Sequence, residues 1–240
     1  MDAVAFTRRM AEAIRTKGTV TVTSAGATPM TVQLRMTPGR VDLEVAAGSP
    51  ETWHLIVVDG AAYLQAVEPA DGRRWTKLAG GSETVPSVPS VPSVPSVGPV
   101  GATGELPQWW DPSIALTGLD GKASATRGGT RSVDGVRTTD YTVALTGEQL
   151  AEVAQARPGR AVLPAGSTTV IRYSVDDGWL PRRIVAETTV PGQPVQVTAT
   201  DYRDWGGPVT ITAPAPADIG PADIGPADIG PADIGPAAGS

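Results

Sequence analysis

The sequence predicts an α+β chain built on antiparallel β-sheet with few helices. Three observations predict it. Apolar and polar residues alternate with period two along most of the chain. Turn dipeptides separate the runs, and in the clearest stretch no crossover helix lies between consecutive runs. That stretch is Ser167 to Thr212. Its β-branched runs are punctuated by Asp177-Gly178 and Pro191-Gly192. It closes on Asp201-Tyr202-Arg203-Asp204-Trp205-Gly206, with one more short run from Val209 to Thr212. This pattern argues against a parallel Rossmann-type sheet.

Taken in order, Asp2 to Lys17 reads as an amphipathic helix. Asp2 can cap it, and Ala3, Phe6, Met10, Ala13 and Ile14 share one face at helical spacing. Lys17 suits the negative end of the helix dipole, and Gly18 suits a left-handed C-terminal cap. From Thr19 the period changes to two. Val20 and Val22 alternate with Thr; Val32, Leu34 and Met36 with Gln33 and Arg35; Val41, Leu43 and Val45 with Asp42 and Glu44. Pro38-Gly39 and Asp59-Gly60 read as turns, the second between Thr52–Val58 and Ala61–Val67; Arg73 to Leu78 completes this first meander.

Val85 to Ser96 is four copies of Val-Pro-Ser, continued by Val97-Gly98-Pro99, and reads as an extended linker or surface loop over 85–104. Asp111-Pro112 reads as the start of a short helix with Ile114, Ala115 and Leu116, preceded by Trp109 and Trp110. Such a tryptophan pair can close a ligand mouth, touch a membrane interface or, more often, cover a core edge. Lys122–Arg127 and Val136–Leu145 read as strands, the Asp134-Gly135 turn leading into the second. Thr146-Gly147-Glu148-Gln149 reads as a capping box for a helix through Ala156, with Leu150 and Val153 inward. Residues 214–240 contain four copies of Pro-Ala-Asp-Ile-Gly, Pro216 to Gly235, and are expected to be disordered. Residues 1–213 would then form one domain, and its roughly 190 non-repetitive residues can bury one sizeable core.

Composition excludes several functions. The net charge is −6 with no basic block, so nucleic acid is not expected as a partner. Cysteine is absent, which removes disulfides, thiolate metal sites and cysteine nucleophiles. No apolar run approaches the roughly 20 residues of a membrane span. No leader precedes Asp2, so the expectation is a cytosolic protein or a mature form. His54 is the sole histidine and lies in a strand, without a second histidine for a metal pair. The acid pairs Asp176/Asp177 and Asp201/Asp204 read as turn and strand-end residues. No nucleophile elbow, phosphate loop, dinucleotide fingerprint or calcium loop occurs. The sequence thus offers no catalytic residue, no metal site and no cofactor site, and the expectation is a non-enzyme.

The order of elements resembles the LolA-like lipoproteins of actinobacteria, of the LppX/LprG type. The resemblance rests on the opening helix, V-V-D-G-A-A-Y-L, W-T-K-L, V-D-G-V-R-T-T-D-Y-T-V, Y-S-V-D-D-G-W-L-P-R-R-I and D-Y-R-D-W-G-G-P-V-T-I-T-A-P. It covers roughly Asp2 to Pro214, apart from the Val-Pro-Ser insert. It implies a half-open antiparallel β-barrel with helices covering the concave face. It also implies an apolar cavity for the acyl chains of a lipid or glycolipid, and a membrane-anchored, extracytoplasmic place in the cell envelope. The cysteine that carries the family's lipid anchor is absent from these residues, and a monomer is expected. By alternation, the candidate cavity wall is Val32, Leu34, Met36, Val41, Leu43, Val45, Val195 and Val197, with Phe6, Met10, Ile114 and Leu150 from helices. The same residues could instead pack against one another as a core. The alternative function is a protein-interaction or sensor domain on the same fold, without a lipid ligand.

Overall fold

The computed structural model describes residues 1–25, 29–38, 40–48, 51–66, 75–78, 119, 121–155 and 163–220. The Val-Pro-Ser segment, Trp109, Trp110 and the Asp111-Pro112 helix with Ile114 lie outside them. Helix α1 spans Ala3–Lys17. Strands β1 (Thr19–Ala25), β2 (Met30–Thr37), β3 (Arg40–Gly48), β4 (Glu51–Val58), β5 (Ala61–Ala66) and β6 (Trp75–Leu78) follow. Then come β7 (Ala125–Val133), β8 (Val136–Thr146), helix α2 (Gly147–Gln155), β9 (Thr168–Asp176), β10 (Pro181–Thr189) and β11 (Gln196–Arg203). A 3-10 turn at Pro216–Asp218 and the two-residue β12 (Ile219–Gly220) end the described chain.

The twelve strands among the described residues belong to one sheet, ordered β12-β6-β5-β4-β3-β2-β1-β11-β10-β9-β8-β7. Every pairing is antiparallel except β12 on β6. The sheet is two meanders, β1–β6 and β7–β11, joined where β1 meets β11 with Val22 opposite Tyr202. It is open, with β12 and β7 at its two edges.

Local chemistry explains the elements. The Asp2 carboxylate accepts from Ala5 N at 2.8 Å and from Gly121 N at 2.9 Å, so it caps α1 and holds the chain before β7. Its pKa is lowered, chiefly by the Ala5 N–H. Gly18 takes φ 76° and donates to Ile14 O, ending the helix. Thr146 and Gln149 exchange hydrogen bonds as a capping box at α2. Asp59-Gly60 and Asp134-Gly135 have positive φ at both residues, as two-residue hairpins on right-twisted strands require. Asp42, only 1% exposed, accepts from Arg35 and from Asp59 N, which ties the β4–β5 turn to the β2–β3 hairpin.

Four elements differ from the sequence expectation, the first being β7, which runs Ala125–Val133 rather than Lys122–Arg127. At the β9–β10 turn the left-handed residue is Trp179 (φ 65°), while Gly178 is not left-handed. Asp176 compensates: its Oδ1 accepts from Gly178 N and Leu180 N, and its carbonyl accepts from Trp179 N. Val209–Thr212 is not a strand of the sheet. It crosses the outer surface, where Ile211 (2% exposed) packs with Ile56, Val58 and Tyr63, and with Trp75 and Ile219 around them. The first Pro-Ala-Asp-Ile-Gly repeat does not belong to a disordered tail, because Ile219 and Gly220 pair with Trp75 and Thr76 of β6. The reason is packing: the repeat's isoleucine joins that outer cluster, and local composition does not report such a contact.

The core lies on the opposite face of the sheet. There α1 contributes Phe6 and Met10 to a cluster with Val143, Leu145, Tyr173 and Val175. One turn later Ile14 enters a second cluster with Val20, Val22, Val32, Leu34, Leu43, Val45, Leu55 and Val57. Ile184 borders both clusters.

Candidate ligand-binding face

The helix side of β1–β5 is the candidate site. Alternation sends one set of side chains to it from each strand, and the register stacks them in rungs. One rung runs Val22, Val32, Val45, Leu55, Leu64; the next runs Val20, Leu34, Leu43, Val57, Ala62. Met36 and Val41 flank them at one end, and Met30, Ala47 and Trp53 at the other. From Met30 to Met36 the strip is about 20 Å long. Leu34, Val32, Leu43 and Val45 are each at most 3% exposed.

The strip carries no ionisable side chain on these rungs, because the other half of the alternation turns outward. Arg35 pairs there with Asp42 at 2.8 Å. His54 meets Glu44 at 2.8 Å and its ring lies 5.0 Å from Trp75. That contact makes His54 part of an outer-face pair, and Glu44 is the acid beside it. Among the described residues no group of three or more His, Asp or Glu is placed to hold a metal.

The far end of the helix side is aromatic. Phe6 sits 4.6 Å from Tyr141, 5.2 Å from Tyr173 and 6.0 Å from Trp179, measured between ring centres. The Arg9 guanidinium covers the other ring system of this corner, 4.0 Å from the Trp179 centroid. Burial pushes the Tyr173 phenol well above its ordinary value, with Tyr202 adding to the effect. The unusual backbone of Trp179 is thus held by ring packing against α1 as well as by Asp176.

Among the described residues, two buried side-chain polar atoms have no hydrogen-bond partner: Trp53 Nε1 and Ser167 Oγ. Leaving such a group unsatisfied costs about 1–3 kcal/mol. Trp53 stands at the end of the apolar strip, opposite Ala47 of β3. Elsewhere, a cleft of about 290 Å³ is lined by residues including Val133, Val136, Tyr202, Arg182 and Arg203. Its arginines are matched by carboxylates, Arg203 by Asp134 at 3.0 Å and Arg182 by Asp176 at 2.8 Å. Among the described residues that line it, no positive charge is left unopposed for an anion.

The structure gathers Val32, Leu34, Met36, Leu43 and Val45 on one strip, with Val41 half-buried beside them. Phe6 and Met10 join the adjoining cluster, and Leu150 packs against it from α2. Val195 and Val197 do not belong: they are 56% and 58% exposed. Tyr202 faces the core opposite Val22, so by alternation Val197 faces the other way. Sequence reasoning missed Leu55, Val57 and Trp53. The run Leu55-Ile56-Val57-Val58 hides its period because both faces of β4 are covered, one by the strip's neighbours and one by Ile211. The available signal was that four-residue apolar run itself.

No protein-family model matches the chain, and no curated protein is detectably similar to it in sequence. Among solved structures, the lipoprotein LppX of Mycobacterium tuberculosis matches 88% of this chain and 98% of its own, at 14% identity and a TM-score of 0.50. LprF of Mycobacterium bovis matches 89% and 97%, at 15% identity and a TM-score of 0.48. The MucA/MucB complex of Pseudomonas aeruginosa matches 90% of this chain and 59% of the chain compared, at 16% identity and a TM-score of 0.40. The chain has the LolA-like fold of the LppX-type lipoproteins.

Proposed function

We propose that this protein binds the acyl chains of a lipid or glycolipid against the helix side of β1–β5 and performs no chemistry on them. The observation that carries the reading is the apolar strip of five strands, free of ionisable side chains on its rungs. Its length of about 20 Å exceeds the roughly 15 Å of one leaflet of bilayer hydrocarbon. A sixteen-carbon chain removed from water gains on the order of 12 kcal/mol, at about 0.8 per methylene. That offsets an association cost of about 4–15 kcal/mol without help from a charged anchor.

On this reading the sheet curves as a half-barrel, its concave face is the helix side, and the helices are the cover. The acyl chain inserts between α1 and the strip, and the protein carries or presents lipid in the cell envelope. The fold shared with LppX, a mycobacterial lipoprotein, is consistent with that location. The test is a titration with a fluorescent sixteen-carbon acyl probe. Saturable binding displaced by unlabelled acyl lipid is expected. Absence of saturable binding at micromolar probe would overturn the reading.

A further inference from the structure

Trp53 stands out on the helix side because its Nε1–H is buried and has no hydrogen-bond acceptor among the described residues. The strand explains its placement. Residues 53, 55 and 57 of β4 turn to the helix side, where Leu55 faces Val45 and Leu64, and Trp53 faces Ala47. Ala47 is 1% exposed and too short to offer an acceptor from its side chain. Met30 lies on the far side of Ala47. Ser24 of β1 stands opposite Met30, so the rung at this end adds the Ser24 hydroxyl and the Trp53 donor to the apolar strip, and of the two only the indole N–H is buried without a partner among the described residues.

An indole N–H is a donor only. In an apolar setting it is completed by an acceptor that arrives with an apolar ligand. No ionisable side chain stands on the Met30–Ala47–Trp53 rung, so a carboxylate brought there would lose its hydration without gaining a counter-charge. A neutral carbonyl has no such penalty. From these observations we infer that Trp53 is a specificity-determining residue that hydrogen-bonds the ester or amide carbonyl of an acylated ligand. The hydrocarbon chain runs from there along the rungs toward Met36. The inference rests on the lipid-binding reading and narrows it, from acyl chains in general to neutral acyl esters and amides. Free fatty acids and alkanes are the disfavoured ligands.

The test compares methyl palmitate, palmitate and hexadecane as competitors of a fluorescent acyl probe, for the native protein and for Trp53→Phe. Phenylalanine keeps the apolar ring and removes the donor. The native protein is expected to favour the ester over hexadecane and over palmitate by about five- to tenfold, and Trp53→Phe to lose that preference while still binding hexadecane. Equal affinities in the native protein, or a preference that survives Trp53→Phe, overturn the assignment of Trp53 and leave acyl binding standing. Binding of none of the three overturns both. A second readout covers a variant that fails to fold. Of the indole N–H resonances of the six tryptophans, one is expected to move downfield with the ester and none with the alkane. Movement of none with the ester overturns the assignment.

Discussion

Leu34→Trp separates a ligand-binding strip from a filled core. Leu34 is fully buried between Val20 and Leu43, at the centre of the rungs. If the helix side admits an acyl chain, an added indole occupies space the chain would use. Displacing three or four methylenes costs about 2.5–3 kcal/mol of ligand binding, or about a hundredfold in affinity. Stability should then change by less than about 1 kcal/mol, because the indole fills ligand space. If the strip is a packed core, overfilling costs about 1–3 kcal/mol of folding stability. With a urea slope of about 1–3 kcal/mol/M, that is a drop of roughly 1 M in the midpoint. The assay is probe titration alongside urea unfolding of both proteins. A hundredfold loss of probe affinity with a nearly unchanged midpoint is expected. Unchanged probe affinity with a midpoint lowered by about 1 M would refute the reasoning.

Other predictions address the frame. Asp42→Ala removes the acceptor shared by Arg35 and the Asp59 N–H. Arg35 is about a third exposed and regains water, so the loss should be about 1–3 kcal/mol by urea unfolding, with Asp42→Asn milder. Ile211→Ala opens the outer cluster over Ile56, Val58 and Tyr63 and should cost about 2–5 kcal/mol in the same measurement, with increased binding of an apolar dye. The raised pKa of Tyr173 makes stability depend on alkaline pH. The neutral phenol is favoured in the folded state, so this contribution is complete below the unfolded value near 10. It is lost as pH rises through the folded value. Tyr173→Phe should flatten the stability profile above about pH 10, and an unchanged profile would remove Tyr173 as its cause.

Where local chemistry decides the backbone, the sequence was legible. Asp59-Gly60 and Asp134-Gly135 adopt the left-handed pairs their residues favour, and Asp2, Gly18 and the Thr146 box end helices as read. The strips of β2 and β3 followed from alternation. What was not legible depends on partners distant in sequence. Val195-x-Val197 alternates like any wall strand, but its face was decided by the pairing of Tyr202 with Val22. Trp179 takes a conformation usual for glycine because Asp176 and the rings around Phe6 hold it. The first Pro-Ala-Asp-Ile-Gly repeat reads as disordered until β6 and Ile211 supply an edge and an apolar surface. The same limit applied to Trp53, whose missing acceptor can be recognised only once its surroundings are known.

The central claim is that the helix side of β1–β5 holds acyl lipid. Native mass spectrometry of the protein after exposure to an extract of bacterial envelope lipids tests it most directly. The account predicts a discrete added mass that fragments as an acyl ester or amide, is lost on delipidation, and is diminished in Leu34→Trp. An unliganded mass throughout, from folded protein in the presence of excess extract, would contradict it.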